Sequence, residues 1–142
     1  MNVTVREARP DDAHAIAALL GELGYPSGAE QASARLARIE RDPSTVLLVA
    51  ELDGEVAGLA ALHLQQLIER DDLGCSLTAM VVGERFRRRG VGARLTDAIE
   101  AEARARGCER IALNTAHRRV DAHAFYEARG YEHTGRRYWK EL

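Results

Sequence analysis

The segment between residues 80 and 99 restricts the fold of this chain more than any other part of the sequence. An apolar stretch with strand character, Met80-Val81-Val82, is followed by residues 83–86. A basic, glycine-containing turn then begins a long helical pattern and reads Arg87-Arg88-Arg89-Gly90-Val91-Gly92-Ala93. Glycine lets a backbone approach a ligand closely, and the N–H groups at a helix start bind phosphate. The three arginines add positive charge beside such an anion. The pattern predicts a phosphate-binding turn, and the alternative is an ordinary turn whose charges are solvated.

Two common phosphate-binding motifs do not fit this turn. A P-loop ends in Lys followed by Ser or Thr, and no such pair follows here. The dinucleotide-binding fingerprint requires a third glycine three residues after the second, where this chain has Leu95. The turn therefore indicates a different class of phosphate-containing ligand.

The remaining patterns predict a mixed α+β fold. After Pro10, four apolar residues recur at the spacing of one helical face: Ile16, Leu19, Leu20 and Leu23. Asp53-Gly54, between two alternating stretches, predicts a tight hairpin. The predicted strands cover residues 3–7, 45–51, 55–63, 77–82 and 110–115 and a C-terminal hairpin from 131, and further helices cover 30–41, the stretch from 91 to Gly107, and 121–129. Antiparallel strands followed by strand–helix alternation predict helices on the faces of the sheet.

Length and composition predict a single globular domain over residues 1–142. Apolar residues make up 46 % of the chain and charged residues 30 %, the usual balance of a folded domain. The formal charge of −2 and the few aromatic residues argue against nucleic acid as a partner. No apolar stretch approaches the ~20 residues that span a bilayer, and the N-terminus lacks the pattern of a signal peptide. A cytoplasmic protein that does not engage a membrane is therefore expected.

No metal site is expected. Cys75 and Cys108 lack the close spacing and flanking histidines of a metal site and are interpreted as free thiols. His63, His117 and His123 lie on separate predicted elements, without the i, i+4 spacing of a zinc-binding helix.

The basic turn resembles the pyrophosphate loop of the GNAT family of N-acetyltransferases, whose pattern is Gln/Arg-x-x-Gly-x-Gly/Ala. Arg87, Gly90 and Gly92 occupy its three fixed positions. The resemblance extends through the hairpin at Asp53-Gly54, the strand before the turn, the long helix and the region from Asn114 to Tyr131. It implies acetyl-CoA as co-substrate and a central seven-stranded, mostly antiparallel sheet that splits as a V, flanked by about four helices.

The resemblance also implies how acetyl-CoA binds. The backbone of Met80 and Val82 would pair with the pantetheine arm where their strand diverges from the strand over 110–115, and one of their N–H groups would stabilise charge on the thioester oxygen. Asn114 matches a position that contacts the arm, and a chain turn is its alternative role. The expected acetyl-CoA contacts are Met80, Val81, Val82, Arg87, Arg88, Arg89, Gly90, Val91, Gly92, Ala93 and Asn114.

Tyr126 is the candidate general acid. In the family a tyrosine at this position points at the CoA sulfur and protonates the departing thiolate, a step that general acids assist. The spacing places Ala122, Phe125 and Tyr126 on one helical face. The alternative is a packing tyrosine whose hydroxyl reaches a backbone group.

The general base is not evident from the sequence. Many relatives place a glutamate on the strand before the turn, where this chain has Ser76, Thr78 and Ala79. A primary amine is almost entirely protonated near pH 7, so a group must remove its proton. The candidates are water relayed by Ser76 or Thr78, His117, and Glu69.

The acceptor is expected to be a small-molecule amine that attacks the thioester directly in a ternary complex. Local similarity to aminoalkylphosphonate N-acetyltransferases, in residues 53–58, 62–65, 119–126 and 136–140, implies an acidic group on the acceptor. Arg118 or Arg119 at the mouth of the acceptor site would then attract that group, and the alternative is that Arg118, Arg119 and Arg129 form a solvated face.

Several alternatives stay open at this stage. Aminoglycosides, polyamines, amino acids and protein N-termini or lysines are other acceptor classes. A non-catalytic acyl-CoA sensor is the non-enzymatic alternative, and Tyr126 argues against it because a sensor needs no proton donor. Members of the family often pair, so a homodimer is an option that no residue specifies.

Overall fold

A five-stranded sheet with helices on both faces forms the framework of the protein. The computed structural model describes residues 2–114, 120–135 and 138–142. In chain order the elements are β1 Val3–Glu7, α1 Ala13–Leu23, α2 Ala29–Glu40, β2 Thr45–Leu52, β3 Glu55–Gln65, β4 Gly74–Val82, α3 Val91–Ala105, β5 Ala112–Leu113 and α4 Val120–Ala128, with short 3₁₀ turns at Pro10–Asp12 and Glu84–Phe86. Two compact units divide the chain, one up to Ala112 and the other from Leu113 onward.

The strands follow one another across the sheet in sequence order. The order is β1-β2-β3-β4-β5, and each neighbouring pair from β1 to β4 is antiparallel. Asp53 and Gly54 join β2 to β3 with φ angles of 52° and 82°. Both angles lie in the left-handed region that a two-residue hairpin turn of this kind requires. The predicted hairpin is confirmed.

Helices α1 and α2 cover one face of the sheet. Ile16 and Leu19 of α1 form a buried cluster with Val49, Leu59 and Val81, one residue from each of β2, β3 and β4. The same cluster takes in Ala32 and Leu36 of α2. Burying this apolar face against two helices is the main favourable term that holds the layer together.

Helix α3 packs on the opposite face. Val91, Leu95 and Ile99 are at most 1 % exposed. Gly58 of β3 lies beneath this helix, since a Cβ built there would stand 3.0 Å from Leu95 Cδ1 and 2.8 Å from Val81 O. Such distances leave no space for a side chain, so glycine at 58 permits the close approach of α3 to the sheet.

The mixed α+β class is confirmed, but the described strands number five and not seven. The strand predicted over 110–115 consists of Ala112–Leu113 within the described part of the chain. The C-terminal hairpin is wrong for the described residues, because 131–135 and 138–142 contain no strand. Tyr138 and Trp139 are 86 % and 71 % exposed, so these β-favouring residue types have no surface to pack against. The single-domain assignment and the V-shaped split stay predictions.

Candidate active site

The backbone that leads from β4 toward the basic turn is fixed by hydrogen bonds. Four N–H groups in this stretch have acceptors: Gly83 donates to Ala57 O at 2.8 Å, Glu84 to a Glu22 carboxylate oxygen at 2.7 Å, Phe86 to Gly83 O at 2.9 Å and Arg87 to Glu84 O at 3.3 Å. The Phe86 ring is buried. The approach to the turn is therefore held by β3, by α1 and by its own 3₁₀ turn.

The backbone N–H groups that follow Arg87 differ from these in their hydrogen bonding. Among the residues that the structure describes, none of the N–H groups from Arg88 to Ala93 meets an acceptor. The first one to do so is that of Arg94, which donates to Gly90 O at 3.1 Å as the first bond of α3. The first N–H groups of a helix have no intrahelical partner, so they are available to a ligand.

The conformation of the turn makes these N–H groups converge. Arg88 and Gly90 have φ angles of 64° and 81°, whereas Arg89 between them has a negative φ. Alternating backbone handedness of this kind forms concave N–H arrangements that bind anions. Residues 87–90 are exposed, and Gly92 and Ala93 are half-buried at the start of α3. An anion can therefore reach this surface without rearrangement of the core.

The arginines of the segment divide into engaged and available side chains. Arg85 forms an ion pair with Glu55 at 2.8 Å and lies 4.4 Å over the Phe86 ring. The Nε group of Arg87 donates to Val82 O at 3.4 Å. Arg88 and Arg89 are exposed and make no ion pair with the described residues. Two guanidinium groups are thus available beside the unpartnered N–H groups.

Strand β4 offers an edge next to this turn. It spans nine residues, while β5, its neighbour on the side away from β3, spans two. Within the described residues most of that edge has no strand partner. Val81 is buried against α1 and α2, and Met80 and Val82 are half-buried. An extended ligand can therefore add along this edge in the manner of a strand.

Tyr126 belongs to the second unit and is 9 % exposed. Its ring makes edge-to-face contacts with Phe125 and Tyr131, at centroid distances of 5.3 and 5.6 Å. The Tyr131 N–H also donates to Tyr126 O at 3.0 Å. These contacts fix the ring of Tyr126 in one orientation. Asn114, directly after β5, is exposed.

The base candidates have different surroundings. Ser76 is half-buried on β4, and the Thr78 hydroxyl donates to Ala61 O at 3.3 Å. Glu69 is exposed in the connection between β3 and β4. His117 lies outside the described residues, as do Arg118 and Arg119.

Three further observations concern the expected partners of the protein. Arg129 lies 5.7 Å over the Phe125 ring, a packing contact. Over the described residues, no three His, Cys, Asp or Glu side chains come together as a metal site. None of the helices there is long and apolar enough to cross a bilayer.

The arrangement around Arg88–Ala93 fits a diphosphate joined to an extended arm. Convergent N–H groups and two guanidinium groups suit the diphosphate, and the free edge of β4 suits an amide-containing arm. Acetyl-CoA has both parts. The geometry is thus that expected of a protein that binds a CoA thioester.

Comparison with known proteins identifies the family. The model of the acetyltransferase (GNAT) family matches residues 13–131, and this chain belongs to that family. It is therefore an acetyl-CoA-dependent N-acetyltransferase.

Named relatives and a solved structure agree with the family. The aminoalkylphosphonate N-acetyltransferase of Salmonella typhimurium is 31 % identical over 97 % of this chain and 90 % of its own length. The aminoglycoside N(6′)-acetyltransferase type 1 of Stenotrophomonas maltophilia is 33 % identical over 94 % of this chain and 88 % of its own length. The aminoglycoside N-acetyltransferase AAC(6′)-Iy, solved in complex with CoA, has a TM-score of 0.86 at 20 % identity, covering 99 % of this chain and 95 % of that one.

Proposed function

We propose that the protein transfers the acetyl group of acetyl-CoA to the primary amine of a small molecule, by direct attack in a ternary complex. The observation that carries this proposal is the run of unpartnered N–H groups from Arg88 to Ala93. Acetyl-CoA supplies an acetyl thioester, which an amine can attack without a covalent enzyme intermediate.

The donor-binding residues follow from this arrangement. The N–H groups of Arg88–Ala93 and the side chains of Arg88 and Arg89 would hold the pyrophosphate. Arg87 would join them by releasing its 3.4 Å contact with Val82 O. The backbone of Met80–Val82 would pair with the pantetheine arm, and Asn114 would contact it.

Tyr126 is proposed as the general acid that protonates the departing sulfur. A proton donor must be oriented to act, and the contacts of Tyr126 with Phe125 and Tyr131 supply that orientation. Its burial supports the role, since the exclusion of bulk water from a site limits the leakage of protons to solvent during the reaction.

Small amines are proposed as acceptors because of the two named relatives. One acts by name on aminoalkylphosphonates and the other on aminoglycosides. The first class carries a negative group and the second several positive ones, so a panel with both distinguishes them. A protein N-terminus or lysine is the alternative acceptor class, and a homodimer and a cytoplasmic location stay predictions.

The test is release of CoA thiol from acetyl-CoA in the presence of 2-aminoethylphosphonate, kanamycin, a polyamine and an N-terminal peptide. Tyr126→Phe should lower kcat for the best acceptor by ~10²-fold or more, the usual contribution of a general acid. Its KM for acetyl-CoA should stay within about twofold. Tyr138→Phe is the matched control, because Tyr138 is 86 % exposed. Full activity of Tyr126→Phe would remove Tyr126 from the mechanism.

A further inference from the structure

A β-bulge in β4 decides which side chains face the α1 and α2 side of the sheet. The register between β3 and β4 runs from Ala61 opposite Ala79 to Leu62 opposite Leu77, so Thr78 is an extra residue. A bulge reverses the alternation of side chains beyond it. Ser76, which would otherwise face α3, therefore lies on the same face as Ala79 and Val81.

The bulge brings Ser76 opposite His63. These residues are direct partners on the antiparallel strands β4 and β3, and such partners have Cβ atoms ~5 Å apart on one face of the sheet. Both side chains are half-buried, and neither makes a hydrogen bond to the described residues. An imidazole and a hydroxyl thus stand side by side with unused hydrogen-bonding capacity.

Two alanines lie between this pair and the buried cluster. Ala61 and Ala79 are opposite one another on the same face, and Leu59 and Val81, the next pair, are buried in the α1 and α2 cluster. Ala61 is buried, whereas Ala79 is half-buried and packs against that cluster. Met80, where the donor arm is proposed to bind, follows Ala79 directly.

A carboxylate lies at the beginning of the strand on the other side of His63. Thr45 of β2 is the partner of His63 there, and its hydroxyl donates to Asp42 at 2.9 Å. The pKa of Asp42 is held below its ordinary value chiefly by hydrogen bonds from the Ser44 hydroxyl and N–H and from the Thr45 hydroxyl, with a smaller contribution from His63. Asp42 and Ser76 are thus polar groups near the imidazole, one at the start of β2 and the other on β4.

From this placement we infer that His63 is the general base of the reaction, removing a proton from the acceptor's ammonium group with the help of Ser76. The inference rests on the proposed function and supplies the base that the sequence leaves open. Residues two apart on a strand are ~6.7 Å apart. An amine that reaches the half-buried Ala79, opposite Ala61, is thus within reach of His63 through the Ser76 hydroxyl or one water molecule.

The proton balance is complete with the groups named. His63 takes one proton from the ammonium, and the neutral nitrogen bonds to the acetyl carbonyl carbon while the carbon–sulfur bond breaks. The sulfur receives the proton of Tyr126, and the second nitrogen proton restores Tyr126 through solvent, so the products are the N-acetyl amine and the CoA thiol. His63 then returns its proton to water.

The other base candidates among the described residues fit less well. The Thr78 hydroxyl already donates to Ala61 O. Glu69 is exposed, and an exposed carboxylate is a weak base near neutrality. Histidine is the residue type that changes charge between pH 5 and 8.

The test compares His63→Gln with His14→Gln, which alters an exposed histidine on α1. With the best acceptor of the panel, His63→Gln should lower kcat by ~10²-fold or more at pH 7. The difference in kcat between His63→Gln and the wild type should shrink as the pH rises, because more of the acceptor amine is then unprotonated. Added imidazole should restore part of the rate. Ser76→Ala should show a smaller loss of the same kind. Calorimetric binding of acetyl-CoA should be unchanged in all three variants.

Two results would overturn the assignment. One is a profile of kcat against pH for His63→Gln that has the same shape as that of the wild type, with kcat within about threefold of the wild-type value. The other is a loss of kcat in His63→Gln that has the same size at every pH and that added imidazole does not reduce, as expected if the residue has a structural role. Failure of the proposed function is separate, because it would appear as wild-type protein that neither binds acetyl-CoA nor releases its thiol.

Discussion

The backbone on the two sides of Arg87 has opposite hydrogen-bonding states. From Gly83 to Arg87, four N–H groups have acceptors at 2.7 to 3.3 Å. From Arg88 to Ala93, none has an acceptor among the described residues. The arginines follow the same division, since Arg85 is paired with Glu55 and Arg88 and Arg89 have no such partner there.

This difference indicates how a turn that is proposed to bind acetyl-CoA is compatible with a stable fold. Unpartnered N–H groups are tolerated where water reaches them, as at the exposed residues 88–90. A binding turn also needs a fixed frame, because a mobile turn loses binding energy to ordering. The hydrogen-bonded stretch before Arg87 and the buried start of α3 at Val91 supply that frame. The residues proposed to bind are therefore distinct from the residues that hold them in place.

The largest effect is expected from the available arginines. Arg88→Gln combined with Arg89→Gln should weaken acetyl-CoA binding by ~10²-fold, since hydrogen bonds between charged groups contribute ~1.5–3 kcal/mol each. The measurement is the dissociation constant from calorimetry, repeated at two salt concentrations. Arg85→Gln, on the other side of Arg87, is the matched control and should leave the constant within about twofold. Equal losses of acetyl-CoA affinity in the double variant and in Arg85→Gln would contradict the division into available and engaged arginines.

A smaller effect is expected from the left-handed glycine. Gly90 has a φ of 81°, with open space where a Cβ would be, so Gly90→Ala introduces about 1–2 kcal/mol of backbone strain without a clash. We expect a fall in acetyl-CoA affinity of ~5- to 30-fold if the strain distorts the turn. Gly107→Ala carries similar strain at φ 86°, beyond the end of α3. It should lower the melting temperature and leave the affinity unchanged; weaker acetyl-CoA binding in Gly107→Ala would show that the effect is not local.

The smallest effect is expected from Glu22, which helps to hold the backbone that precedes the basic turn. Glu22→Gln replaces the carboxylate that accepts the Glu84 N–H at 2.7 Å by a neutral acceptor. Because this contact is exposed, the loss of stability should be about 1 kcal/mol or less. It is read as a small fall in melting temperature, with acetyl-CoA affinity within about threefold. A loss of affinity as large as that of the arginine pair would mean that Glu22 has a direct part in binding.

Features set by neighbouring residues in the chain could be predicted from the sequence. Helix α1, the hairpin at Asp53-Gly54 and the long helix after the basic turn all follow local patterns that the structure confirms. The conformation of the basic turn belongs to this group because its glycines, charges and helix start lie within a few residues, and its role in acetyl-CoA binding stays a prediction. The family resemblance added acetyl-CoA, which the family match supports.

Features set by distant residues could not be predicted. The carboxylate of Asp12, in the 3₁₀ turn before α1, accepts two hydrogen bonds from Arg6 of β1, both at 2.8 Å. That pairing depends on how β1 leads into α1. The opposition of His63 and Ser76 depends on a bulge at Thr78, and nothing in the local pattern of β4 marks it. The C-terminal aromatic residues favoured strands by type, and their exposure was decided by tertiary packing.

The glycine beneath α3 has a consequence for how variants of this enzyme are interpreted. Helix α3 carries at its first turn N–H groups that are proposed to bind acetyl-CoA, and Gly58 lies beneath this helix. A Cβ at position 58 would stand 2.8 Å from Val81 O of β4 and 3.0 Å from Leu95 Cδ1 of α3. Relief of these contacts requires a shift of β4 or of α3, and a shift of α3 would move those N–H groups with it. A substitution deep in the interior can thus imitate a defect in substrate recognition, although the altered residue never touches the substrate.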